Sequence, residues 1–91
     1  MTTDRSARLR TLLEQAFEPV YLEIVDDSRS HAGHAHAGGG HFFVTVCSHR
    51  FEGRSMLERH RLVYSAVSEM MPGDIHALSI TALTPAERQA A

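Results

Sequence analysis

"VYLEIVDDSRSHAGHAHAGGGHFFVTVCS", residues 20–48, decides how the chain folds. Its opening sets Val20, Leu22 and Ile24 against Tyr21, Glu23 and Val25, the period-two alternation of a strand with one face on a core. Its close, residues 41–48, places Phe42, Val44 and Val46 together on one face of a second strand. Nothing between the two reads as a helix, so the strands pair antiparallel. The connection carries His31, His34 and His36, with His41 at the start of the second strand and glycines at 38–40. Imidazole ligates metals and titrates near neutrality, so this stretch is either a metal site or a mobile interstrand loop. No zinc-finger spacing or cysteine pair accompanies it, and the glycines make a site costly to order.

Outward from this stretch the pattern turns helical. Between Ser6 and Phe17, Leu9, Leu12, Leu13, Ala16 and Phe17 share one face, with Thr3 or Asp4 as N-cap and Pro19 as stop. On the other side, Phe51 anchors a turn that Gly53 eases, and Ser55 with Glu58 forms a capping box. The helix it opens runs to about Met71 and is ended by "PGD". Its apolar stripe reads as Met56, Leu57, Val63, Tyr64, Val67, Met70 and Met71, with His60 near the middle and Leu62 opposite. "IHALSITAL", residues 75–83, is a third strand with His76, Leu78 and Ile80 on one face. Thr84 as cap and Pro85 at the first helical position predict a short terminal helix. The order is α-β-β-α-β: an α+β fold in which two helices cover one face of a three-stranded sheet.

With 91 residues the chain makes a single domain, residues 1–91, with a flexible His/Gly-rich loop at 27–40. A chain of this size buries roughly 60–65% of its unfolded surface, enough for one modest core. A net charge of −2 predicts no general attraction to nucleic acid or acidic membranes. No apolar run approaches the ~20 residues of a membrane span, and no signal-peptide h-region opens the chain. A single cysteine, Cys47, excludes a disulfide framework and a CxxC redox pair, which suits a reducing cytoplasm.

The remaining candidates divide between structural and chemical readings. His60 on an apolar stripe reads as a hydrogen-bonded core residue, and His76 as a half-buried strand residue. His49 reads as a solvated turn residue. Cys47 has no identifiable activating partner. Arg50, Arg54, Arg59 and Arg61 concentrate basic charge around the start of the second helix, either as a solvated face or as a contact for nucleic acid or a partner. No nucleophile elbow, zincin motif or phosphate loop is present, so the sequence offers no specific basis for an enzyme.

"HFFVTVCSHRFEGRSMLERHRLVYSAV" followed by "IHALSITALTP" resembles the BolA family, through "RFEG" at 50–53, "RHRLVY" at 59–64 and "HALSI" at 76–80. The likeness extends from about Leu9 to Glu87. It implies a class II KH-like α-β-β-α-β fold and a non-enzymatic protein that pairs with a monothiol glutaredoxin. In that pairing a [2Fe–2S] cluster is shared, the glutaredoxin supplying a cysteine and glutathione a thiolate. The resemblance assigns His76 as the last-strand ligand and His31 as the loop ligand, with His34 or His36 as alternatives. It implies a role in iron–sulfur trafficking or in iron and stress sensing. The alternative is a transcriptional regulator contacting nucleic acid through Arg54, Arg59 and Arg61. No G-x-x-G loop stands between helices, so DNA binding is expected to be weak. A homodimer of the apo protein is a further alternative.

Overall fold

A computed structural model of the chain describes residues 5–27, 40–71 and 73–90. The elements are α1 (Arg5–Phe17), β1 (Tyr21–Asp26), β2 (Gly40–Cys47), α2 (Met56–Ala66), β3 (Ile75–Leu83) and α3 (Pro85–Ala90). Short 3-10 turns occupy His49–Phe51 and Ser68–Met70. β2 is central, antiparallel to β1 and parallel to β3, which the chain reaches through α2. Leu22 lies opposite Val46 and Ile24 opposite Val44, so the alternation read from the sequence sets the register.

Phe42, Val44 and Val46 of β2 meet Leu9, Leu13 and Phe17 of α1 and Val63 and Val67 of α2 in one core. Both long helices therefore cover the same face of the sheet. Phe51 is fully buried in this core, its ring centroid 5.0 Å from that of Phe17. α1 ends because Glu18 turns left-handed (φ 45°) while its N–H still reaches Glu14 O at 3.0 Å, and Pro19 follows. The expected N-caps Thr3 and Asp4 lie outside the described residues.

α2 starts at the expected capping box. Glu58 N donates to Ser55 Oγ at 3.1 Å, and Ser55 N donates to Glu58 Oε1 at 2.8 Å. Its α-helical part stops at Ala66, and the 3-10 turn carries the chain on to Met70. The buried face is rotated from the expected stripe. Arg59 and Val63 are buried and Leu62 and Ala66 pack on the core, while Met56, Leu57 and Tyr64 are exposed. The reason is Arg59, which occupies a core-side position that a hydrophobicity pattern assigns to solvent. Val20, expected inward, precedes β1 and is also exposed.

A second capping box opens α3, with Glu87 N to Thr84 Oγ1 at 3.2 Å and Thr84 N to Glu87 Oε1 at 2.9 Å. α3 reaches the other face of the sheet, where Arg88 lies 3.8 Å over the Tyr21 ring. Among the described residues, no helix is long and apolar enough to cross a membrane.

Candidate functional site

His76 sits where the β2–β3 ladder skips a residue. Gly40 lies opposite Ile75, but His41 lies opposite Ala77, so His76 is the extra residue of a β-bulge. The bulge gives the inward position to Ile75, which is fully buried, and leaves His76 exposed. This corrects the expectation that His76 shares the inward face of Leu78 and Ile80 as a half-buried residue. Unbroken alternation would have placed it there; one inserted residue turns it outward.

The backbone leading to His76 is tied on three sides. Asp74 N donates to Met70 O at 2.8 Å, and Asp74 O accepts from Gly40 N at 3.0 Å. The Asp74 carboxylate accepts from Arg8 Nη1 at 2.6 Å, and Arg8 Nη2 also reaches Glu69 at 2.9 Å. The chain leaves the sheet at Asp27, whose N–H donates to His41 O at 2.8 Å, and re-enters it at Gly40. Both ends of the histidine-bearing connection thus stand at the end of the sheet that carries His76. His31, His34 and His36 themselves lie outside the described residues. His41 packs on the open face, stacked on Phe43 at 4.7 Å with its Nε2 3.4 Å from Ser79 Oγ.

Among the described residues, no group of three or more His, Cys, Asp or Glu side chains is placed to hold a metal. Among the described residues at this end of the sheet, His76 presents an exposed imidazole, a side chain able to act as a nitrogen donor alongside ligands from elsewhere. Cys47 is fully buried beyond the reach of solvent. Burial pushes its thiol up, opposed by the Arg88 charge and reinforced by Glu87, so it carries little thiolate.

The arginines separate sharply. Arg59 is buried: its Nε donates to Arg54 O at 3.0 Å and its Nη1 to Ala82 O at 3.0 Å. The same guanidinium grips the Glu87 carboxylate at 2.7 and 3.2 Å. Those hydrogen bonds, with that from Thr84 N, hold the Glu87 carboxyl at about 2. Arg59 is therefore an internal clamp, which corrects its expectation as a surface contact. Arg54 and Arg61 are exposed on either side of Glu58. Glu58 is held below the usual carboxylate range, first by the Ser55 backbone N–H and to a lesser degree by these two charges. Arg50 pairs with Glu18 at 2.6 Å. His49 is an exposed turn residue 3.0 Å from Glu52, and His60 is half-buried beside α2's exposed apolar residues.

Sequence reasoning missed Glu87, Asp74 and Ser48. Thr84-x-x-Glu87 is a legible capping pattern and was the available signal for Glu87. Ser48 gave none: fully buried, its Oγ donates to Phe17 O at 2.6 Å and accepts from Arg50 N at 3.0 Å.

Residues 13–87 match the family described as BolA-like protein. The chain belongs to the BolA family. It is 52% identical over 83 residues to BolA-like protein 1 of Bos taurus, covering 89% of this chain and 59% of that protein. It is 41% identical over 78 residues to the DNA-binding transcriptional regulator BolA of Escherichia coli K12, covering 85% of this chain and 72% of that one. In structure it resembles the BolA domain of SufE1 from Arabidopsis thaliana with a TM-score of 0.82 and 41% identity, over 96% of this chain and 99% of that domain. The chain spans 24% of the length of the whole Arabidopsis SufE-like protein 1. The bovine and bacterial BolA relatives are named as a BolA-like protein and a regulator, not as enzymes.

Proposed function

We propose that this BolA-family chain is a non-enzymatic adaptor that binds a monothiol glutaredoxin and co-ligates a shared [2Fe–2S] cluster, in iron–sulfur trafficking or iron and stress regulation. One observation carries the reading. An exposed imidazole, His76, is set outward by a bulge at the end of the sheet where both anchors of the His31–His36 segment stand. A bound cluster supplies a transferable, redox-active iron–sulfur unit. His76 supplies one nitrogen donor. His31, or His34 or His36 in its place, supplies the second. The remaining positions belong to the glutaredoxin cysteine and glutathione.

The test is reconstitution with a monothiol glutaredoxin, glutathione, iron and sulfide, read by visible absorption and by mass. A heterodimeric mass carrying the chromophore supports the adaptor. A tightly bound, chelator-resistant chromophore on the isolated chain contradicts it. Replacing His31 alone should weaken or reshape the spectrum, and replacing His31, His34 and His36 together should abolish it.

The regulator reading is favoured by the name of the E. coli relative. With Arg59 internal, phosphate contact falls to Arg54 and Arg61, so binding is expected to be weak and to fall steeply with salt. Sequence-selective binding that survives physiological salt and is lost in Arg54→Ala/Arg61→Ala would put this reading first.

A further inference from the structure

α2 carries more apolar surface than the core takes up. Burial of Arg59 turns the helix away from its apparent stripe and leaves Met56, Leu57 and Tyr64 exposed by 54%, 60% and 41%. Met56, His60 and Tyr64 succeed one another at four-residue spacing, and Leu57 and Arg61 form the adjacent row. At 3.6 residues per turn, Met56, His60, Tyr64 and Leu57 fall within about 100° of the helix circumference. Arg59 bonds Ala82 O and, later in the helix, Tyr64 bonds Leu78 O, so α2 runs opposite to β3. Its first turn, with Met56 and Leu57, therefore points away from His76.

The charge around this strip is one-sided. Arg5, Arg8, Arg10, Arg50 and Arg59 each have a carboxylate within 4.0 Å, and Arg88 lies over the Tyr21 ring. Arg54, just before the Ser55 cap, and Arg61, beside Leu57, have neither among the described residues. The Glu58 carboxylate feels both charges but is turned to Ser55 N, from which it accepts at 2.8 Å. Exposed apolar side chains rimmed by charge mark interaction sites, and guanidinium groups select carboxylates or phosphates. Met56 and Leu57 decide between those two, because they gain from burial under a peptide and nothing from a phosphate backbone. We infer that this side of α2 is a docking surface for an acidic amphipathic segment of a partner protein. Its apolar residues cover Met56, Leu57 and Tyr64, and its carboxylates meet Arg54 and Arg61. The anchors Met56 and Leu57 stand toward the other end of β3 from His76, so the surface is independent of the proposed cluster site.

The test selects a random peptide library displayed on phage against the full chain. Enriched peptides are then measured by fluorescence anisotropy on the wild type, Met56→Ser/Leu57→Ser, Arg54→Ala/Arg61→Ala and His76→Ala. The substituted side chains are exposed, and thermal melting confirms that each variant is folded. The expected peptides combine apolar residues at helical spacing with several Asp or Glu. Their binding should weaken about tenfold or more in each of the first two double variants and stay unchanged in His76→Ala. Added salt should weaken it further. The inference is overturned if no peptide is enriched over the Met56→Ser/Leu57→Ser protein, or if the enriched peptides lack acidic residues. It is overturned equally if a DNA duplex binds through Arg54 and Arg61 and no peptide does, since the arginines then serve phosphate alone.

Discussion

At one end of the sheet β2 runs into Ser48 and β3 into Thr84; at the other, Gly40 and Ile75 open the same two strands. The first end is closed by partners. Ser48 joins α1 to the turn after β2, Arg59 ties α2 to β3 and α3, and Phe51 lies against Phe17 beneath them. At the second end, Asp74 is secured from behind by Arg8, and its neighbour beyond Ile75 is an exposed histidine on a bulge. Polar groups at the closed end serve other parts of the same chain. At the open end the hydrogen-bonded backbone leaves one imidazole, that of His76, exposed to solvent. The contrast places the stabilising contacts at the first end and the proposed cluster ligand, His76, at the second.

The sharpest way to break that contrast is to empty the closed end. Phe51→Ala removes a fully buried ring and should cost about 3–5 kcal/mol, read as a lower urea midpoint and melting temperature. Arg59→Ala should cost about 2–3 kcal/mol, since it strips the carbonyls of Arg54 and Ala82 of a charged donor. An arginine on a helix reads as surface charge, so the sequence points toward a much smaller effect.

Acid provides a subtler probe of the same clamp. The Glu87 carboxyl is held at about 2, below its ordinary value of 4.5, chiefly by the Arg59 hydrogen bonds. A carboxylate held down in the folded state stabilises it above the ordinary value, and that stabilisation is lost as pH falls from about 4.5 through about 2. Stability measured across this window should fall more gently in Glu87→Gln than in the wild type. Equal slopes would mean that the pair is not linked to folding.

Much of the fold was legible because it rests on local rules. The alternation at 20–26 and 41–48, the capping box at Ser55–Glu58 and the Thr84–Pro85 start each fix their element from neighbouring residues alone. What escaped depends on distant ones. Arg59 is buried because Glu87, 28 positions on, meets its charge, and that rotated α2 away from its apparent stripe. His76 was identified as a candidate, yet its exposure depends on a one-residue slip against β2 that no single-strand pattern contains. The open end is therefore the part of the candidate site for which the sequence names the residue but not its setting.

His76→Ala is the smallest change for the fold and the largest for the proposed function. The residue is exposed and its backbone is held by Asp74 and its neighbours, so the substitution should alter stability by less than about 0.5 kcal/mol. The most direct measurement pairs thermal unfolding of this variant with the visible spectrum of its reconstituted complex with a monothiol glutaredoxin and glutathione. The account predicts wild-type melting together with loss of the histidine-ligated cluster spectrum. A folded His76→Ala protein that gives the wild-type spectrum and nitrogen hyperfine couplings would contradict it.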